Sequence, residues 1–97
     1  METTLITGAN RGIGLEFSRQ LAEDGWCVLA CSRNLEKSDS LNKLAAEYPE
    51  QITLYALDVA DHGQIKKLSQ TLANKPIDLL INNAGVFPDI NDRSFGQ

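Results

Sequence analysis

The sequence predicts an α/β domain built on a doubly wound parallel sheet with its strands in the order 3-2-1-4. Two observations predict it. Short apolar runs alternate with helical patterns as strand, helix, strand, helix, strand, helix, strand, and three such βαβ crossovers imply a parallel sheet. Two glycine-bearing stretches, TGANRGIG and NNAG, fall at the ends of the first and fourth runs. Right-handed crossovers leave few arrangements, and ligands of such sheets bind at the carboxyl ends of the strands, at the switch between strands 1 and 4.

Each element has its own signal. Residues 3–7 form a β-branched, apolar run that stops at Gly8. From residue 12 to about 24, Ile13, Phe17 and Leu21 recur at i, i+4 and i+8, an amphipathic pattern that ends at Gly25. WCVLACS, residues 26–32, is too short for a helix and reads as a strand buried on both faces. The polar stretch RNLEKSDS leads to a second helix with Leu41, Leu44, Ala45 and Tyr48 on one face, ended by Pro49. QITLYALDV reads as the third strand. Asp61 followed by Gln64 resembles a capping box and opens a third helix with Ile65, Leu68 and Leu72 on one side. Pro76 separates it from the fourth strand, IDLLIN. The first two helices are expected on one face of the sheet and the third on the other. With no repeats, low-complexity tracts or linkers, residues 1–97 read as a single domain.

Composition narrows the function classes. With 42% hydrophobic and 23% charged residues, the 97-residue chain has the make-up of a soluble globular domain. A net charge of −4 argues against a nucleic-acid surface, because phosphate contacts need a basic face. No apolar run approaches membrane-spanning length, and METTLITG carries no basic region ahead of its apolar residues, so neither a membrane span nor a secretory signal is expected. Cys27 and Cys31 lie four residues apart in a strand, a span of roughly 13 Å at 3.3 Å per residue, too far for a disulfide. Two unpaired thiols suit a reducing compartment, and a cytoplasmic location is expected. His62 has no Cys or His cluster near it and reads as a solvated residue; no metal set is discernible.

The glycine turn reads chemically as a phosphate cradle. Gly8 lets the chain leave the first strand in a tight turn, Gly12 lets backbone N–H groups approach a phosphate, and Gly14 lets the helix pack closely on the sheet. The helix N-terminus supplies donors and partial positive charge to a pyrophosphate. No Lys-Ser or Lys-Thr follows the second glycine, which excludes a Walker-type loop.

TGANRGIG together with NNAG resembles the short-chain dehydrogenase/reductase family, whose Rossmann-type domain uses this G-x-x-x-G-x-G spacing. The resemblance covers the whole chain. It implies that the turn residues Gly8, Asn10, Arg11, Gly12, Ile13 and Gly14 bind a nicotinamide dinucleotide. It also implies that Asp58 in LDV meets the adenine amino group, that Val59 lines the adenine site, and that Asn82 and Asn83 stabilise the sheet. Asn83, Ala84 and Gly85 would lie along the cofactor's ribose. DLLINNAGV followed by SFG is also similar to the C-signal-like and carbonyl-reductase-like branches.

Cofactor choice is a charge argument. NAD sites carry an acid at the end of the second strand that accepts from the ribose 2′-hydroxyl. Here Ser32 and Arg33 stand there, and the next acid is Glu36. Arg33 and Arg11 suit a 2′-phosphate through paired, charge-assisted hydrogen bonds, so NADP is expected over NAD.

In the resembled family, hydride transfer uses a Tyr-x-x-x-Lys pair with an upstream Ser. Neither Tyr48 nor Tyr55 has a lysine four residues on, and both precede the family's catalytic segment, so no catalytic residue is assigned. The expectation is an N-terminal, NADP-binding part of a longer, homo-oligomeric oxidoreductase acting on a small carbonyl or alcohol, inactive by itself. A non-catalytic nucleotide-binding module or regulatory remnant is the alternative. A Rossmann methyltransferase ranks behind both, because those enzymes usually keep an acid where Ser32 and Arg33 stand.

Overall fold

The computed structural model describes residues 2–83, so Ala84, Gly85 and the SFG stretch at 94–96 lie outside the described residues. Strands β1 (Thr3–Thr7), β2 (Cys27–Ser32), β3 (Ile52–Ala56) and β4 (Leu79–Asn82) alternate with helices α1 (Gly12–Glu23), α2 (Asp39–Glu47) and α3 (His62–Thr71). The sheet is parallel with the order β3-β2-β1-β4, as the sequence predicts. Register brings the strand ends level: Thr7 pairs with Asn82 and Ser32 with Ala56.

The core lies between the sheet and the α1–α2 layer. Ile6, Val28, Ala30, Leu41, Leu44 and Ile52 pack there with Ala9 and Ala22. Val28 and Leu41 are fully buried, and each contributes about 1.5–3 kcal/mol by leaving water. Strand periodicity turns Leu29 and Cys31 to the opposite face, where both are also fully buried. Buried hydroxyls are satisfied: Thr4 Oγ1 donates to the Leu79 carbonyl at 2.9 Å, and Ser18 Oγ to the Gly14 carbonyl at 2.8 Å.

Two sequence expectations, the buried face of α1 and the capping box of α3, need correction. The face of α1 that meets the core is Gly14, Ser18 and Ala22, one residue along from the Ile13–Phe17–Leu21 pattern. Ile13 is 66% and Phe17 41% exposed, because small side chains are what allow a helix this close to a sheet. Helix α3 fully buries no residue, and Ile65 is 40% exposed; HGQIKKLSQT offers little apolar surface to bury. The capping box is only half formed. Asp61 Oδ1 accepts from the Gly63 and Gln64 amides at 2.9 and 3.1 Å, but Gln64 reaches past it to Asp58. Within RNLEKSDS, Leu35–Lys37 make a 3-10 turn with the Asn34 side chain accepting from the Glu36 amide at 3.1 Å.

Candidate functional site

The carboxyl ends of β1, β2, β3 and β4 converge at one edge of the sheet, and the turn after β1 is the centre of that edge. Gly8 sits at φ 62° and Gly12 at φ 59°, left-handed conformations that a Cβ would strain. Between them the Ala9 amide donates to the Cys31 carbonyl at 2.9 Å, which fastens the turn to β2.

Gly14 marks the closest approach. A Cβ there would stand 2.3 Å from the Gly8 carbonyl oxygen and 2.7 Å from Asn83 Nδ2. Asn83 in turn donates that amide nitrogen to the Gly8 carbonyl at 3.1 Å. The two glycine-bearing stretches therefore meet at one carbonyl. A second tie runs alongside, from Thr7 Oγ1 to Asn82 Oδ1 at 2.9 Å.

Gly12 is different, since a Cβ there would meet nothing within 4 Å. It opens α1, whose N-cap residue Arg11 has an extended backbone (φ −161°) and makes no side-chain cap. Helix α3, by contrast, is capped by the Asp61 carboxylate. The α1 start thus presents backbone donors and the positive end of the helix dipole without an acid of its own as cap.

At the end of β2, Ser32 is buried and Arg33 exposed. Ser32 Oγ lies 2.7 Å from Ser38 Oγ, and the Ser32 carbonyl accepts from the Leu57 amide at 3.0 Å. The side chains of Arg11 and Arg33 have no partner among the described residues. Asn10 is half-buried in the turn and Ile13 exposed at its end.

Asp58 and Val59 follow β3, half-buried. The Asp58 amide donates to Gln64 Oε1 at 2.8 Å, and its own Oδ1 accepts from the Ala60 amide at 2.9 Å. Gln64 is a residue whose sequence signal was present but aimed at the wrong partner: the spacing to Asp61 is that of a capping box, whereas the side chain organises Asp58. Ser38 stands at the N-cap of α2, yet its side chain makes no cap there.

No group of His, Cys, Asp and Glu among the described residues is arranged for a metal. Tyr48 is no candidate general acid or base: its hydroxyl donates to Glu23 Oε2 at 3.1 Å. Desolvation, then the Glu23 hydrogen bond, raises its pKa, where proton transfer near neutrality would need it lowered. No helix among the described residues is long and apolar enough to cross a membrane.

Residues 2–97 match the short chain dehydrogenase family. (+)-Neomenthol dehydrogenase of Arabidopsis thaliana is 38% identical over 94 residues, covering 91% of this chain and 32% of that protein. A carbonyl reductase from Pseudomonas aeruginosa, crystallised with NADP, is similar at a TM-score of 0.83 and 34% identity, over 89% of this chain and 39% of that one. A short-chain dehydrogenase/reductase from Burkholderia multivorans with bound NADP is similar at a TM-score of 0.81 and 32% identity, over 91% of this chain and 38% of that one. The chain spans about a third of the length of the curated relatives it matches.

Proposed function

The chain belongs to the short-chain dehydrogenase/reductase family, and on that premise we propose that it forms the NADP-binding part of an oxidoreductase acting on a carbonyl/alcohol pair. One observation carries the cofactor reading. The α1 start lacks a side-chain cap and adjoins the β2 end through the Ala9–Cys31 hydrogen bond, and each of the two segments presents an arginine whose side chain has no partner among the described residues.

The residues fit the group. Gly8, Asn10, Gly12 and Ile13 with the first turn of α1 would hold the pyrophosphate, with Gly14 letting the helix sit close enough to do so. Arg11 and Arg33 would take the 2′-phosphate beside Ser32, where an acid would repel it. Asp58 would accept from the adenine amino group with Val59 against the ring, and Asn83, Ala84 and Gly85 would follow the ribose. When bound, the reduced cofactor supplies a hydride to a carbonyl carbon. The chain's own work is to hold and select the dinucleotide. The parent enzyme is read as a cytoplasmic homo-oligomer acting on a small carbonyl or alcohol.

A second reading, a non-catalytic nucleotide-binding module, draws on the engagement of the Tyr48 hydroxyl by Glu23 and the lack of a lysine four residues after Tyr48 or Tyr55. Calorimetric titration with 2′,5′-ADP and with 5′-AMP tests the binding claim common to both. Selective binding of 2′,5′-ADP, displaced by NADPH, is expected; equal affinity for the two, or none, would contradict the phosphate site.

A further inference from the structure

We propose that Ser38 is a positioning residue for cofactor selectivity: its hydroxyl links Ser32 to the Asn34 carbonyl and so fixes the backbone on both sides of Arg33. The inference rests on the 2′-phosphate reading of Arg33 given above.

The hydrogen-bond directions follow from counting protons. Ser38 Oγ donates to the Asn34 carbonyl at 2.7 Å, which uses its single hydrogen. At the 2.7 Å contact between Ser32 and Ser38, Ser32 is therefore the donor. The relay runs from Ser32 to Ser38 to the Asn34 carbonyl, with Ser32 2% and Ser38 3% exposed. Ser32 has no proton left for a ligand phosphate, so recognition of that charge falls on Arg33 and Arg11.

The same contacts explain how Arg33 is presented. Ser32 is held by the relay and by the Leu57 amide on its carbonyl, and Asn34 is held by Ser38 Oγ and by the Lys37 amide at 3.1 Å. Arg33 lies between these two anchored residues with its side chain exposed. Asn42 on α2 adds a second staple, its Nδ2 donating to the Leu35 carbonyl at 2.7 Å. A serine at a helix N-cap ordinarily caps that helix. Ser38 forgoes the cap, and its hydroxyl serves the preceding loop instead. A guanidinium held on a fixed backbone loses less freedom on meeting a phosphate, so the loop's rigidity becomes discrimination between NADPH and NADH.

The test is a double-mutant cycle on NADPH and NADH dissociation constants. Ser38→Ala is expected to weaken NADPH about fivefold, the scale of one lost hydrogen bond, and to leave NADH within twofold. In an Arg33→Ala background, Ser38→Ala is expected to change NADPH affinity no further, because both act through one guanidinium. Asn42→Ala, at an exposed position, is expected to shift selectivity in the same direction and keeps the test available if Ser38→Ala fails to fold. Equal weakening of both nucleotides, or additive effects of Ser38→Ala and Arg33→Ala, would overturn the positioning role. Loss of NADPH selectivity nowhere, not even in Arg33→Ala, would instead overturn the phosphate-site reading and the proposal with it.

Discussion

The side-chain amide of Asn83 and the carbonyl of Gly8 are joined by a 3.1 Å hydrogen bond across 75 residues of sequence. This bond pins the end of β4 to the turn after β1, against the place where α1 starts. The site's shape therefore depends on a junction of three elements.

That junction separates two glycines by where a substitution acts most. Gly14→Ala would drive a methyl group to 2.3 Å from the Gly8 carbonyl, which the backbone must move to relieve. A loss of about 1–3 kcal/mol is expected, read from the urea midpoint. Gly12→Ala meets nothing within 4 Å and carries only the strain of φ 59°, about 1–2 kcal/mol. Its larger effect should be on dinucleotide affinity, because the methyl group would occupy the space open to the phosphates.

Gln64 is expected to act on the adenine side alone. It accepts from the Asp58 amide at 2.8 Å and so sets where that carboxylate stands. Gln64→Ala should weaken NADPH and NADH equally, by a few-fold each for one lost hydrogen bond, with their ratio unchanged. Parallel fluorescence titrations of the two nucleotides check this.

Asp61→Ala separates the cap from the site. Removing a carboxylate that accepts from two amides of α3 should cost about 1 kcal/mol of stability. Nucleotide selectivity should not move, since the α3 cap touches neither arginine. Thermal unfolding alongside a selectivity measurement distinguishes the two effects.

Alkaline stability should follow Cys31. Burial pushes its thiol up from the ordinary 9.0 to about 12, so the folded chain favours the protonated form. The stabilisation is complete below pH 9 and is lost as the pH rises towards about 12, because the unfolded chain then ionises while the folded one resists. Native-state alkylation at neutral pH should accordingly label half-buried Cys27 well before fully buried Cys31. A steeper fall in the urea midpoint between pH 9 and 11 for wild type than for Cys31→Ala checks the sign.

Much of this was legible in the sequence because the signals were strong and local. Alternating apolar runs and helical spacing specify the parallel sheet and its order, and Gly8 and Gly12 are where positive φ is needed. The buried face of α1 is harder to read, because the largest apolar side chains, Ile13 and Phe17, are not the ones that meet the sheet. Close helix–sheet contact selects Gly14, Ser18 and Ala22 instead. The Ser32–Ser38–Asn34 relay was beyond reading for another reason. A serine before a helix reads as a cap, and only tertiary geometry shows its hydroxyl turned the other way.

Arg33, standing where an acid would specify NAD, is proposed to select the 2′-phosphate. The most direct test is the ratio of NADH to NADPH dissociation constants in wild type and in Arg33→Asp. NADPH preference is expected in wild type and its reversal in the variant, as the carboxylate repels the phosphate and accepts from the ribose hydroxyl. A ratio that Arg33→Asp leaves unchanged would contradict it.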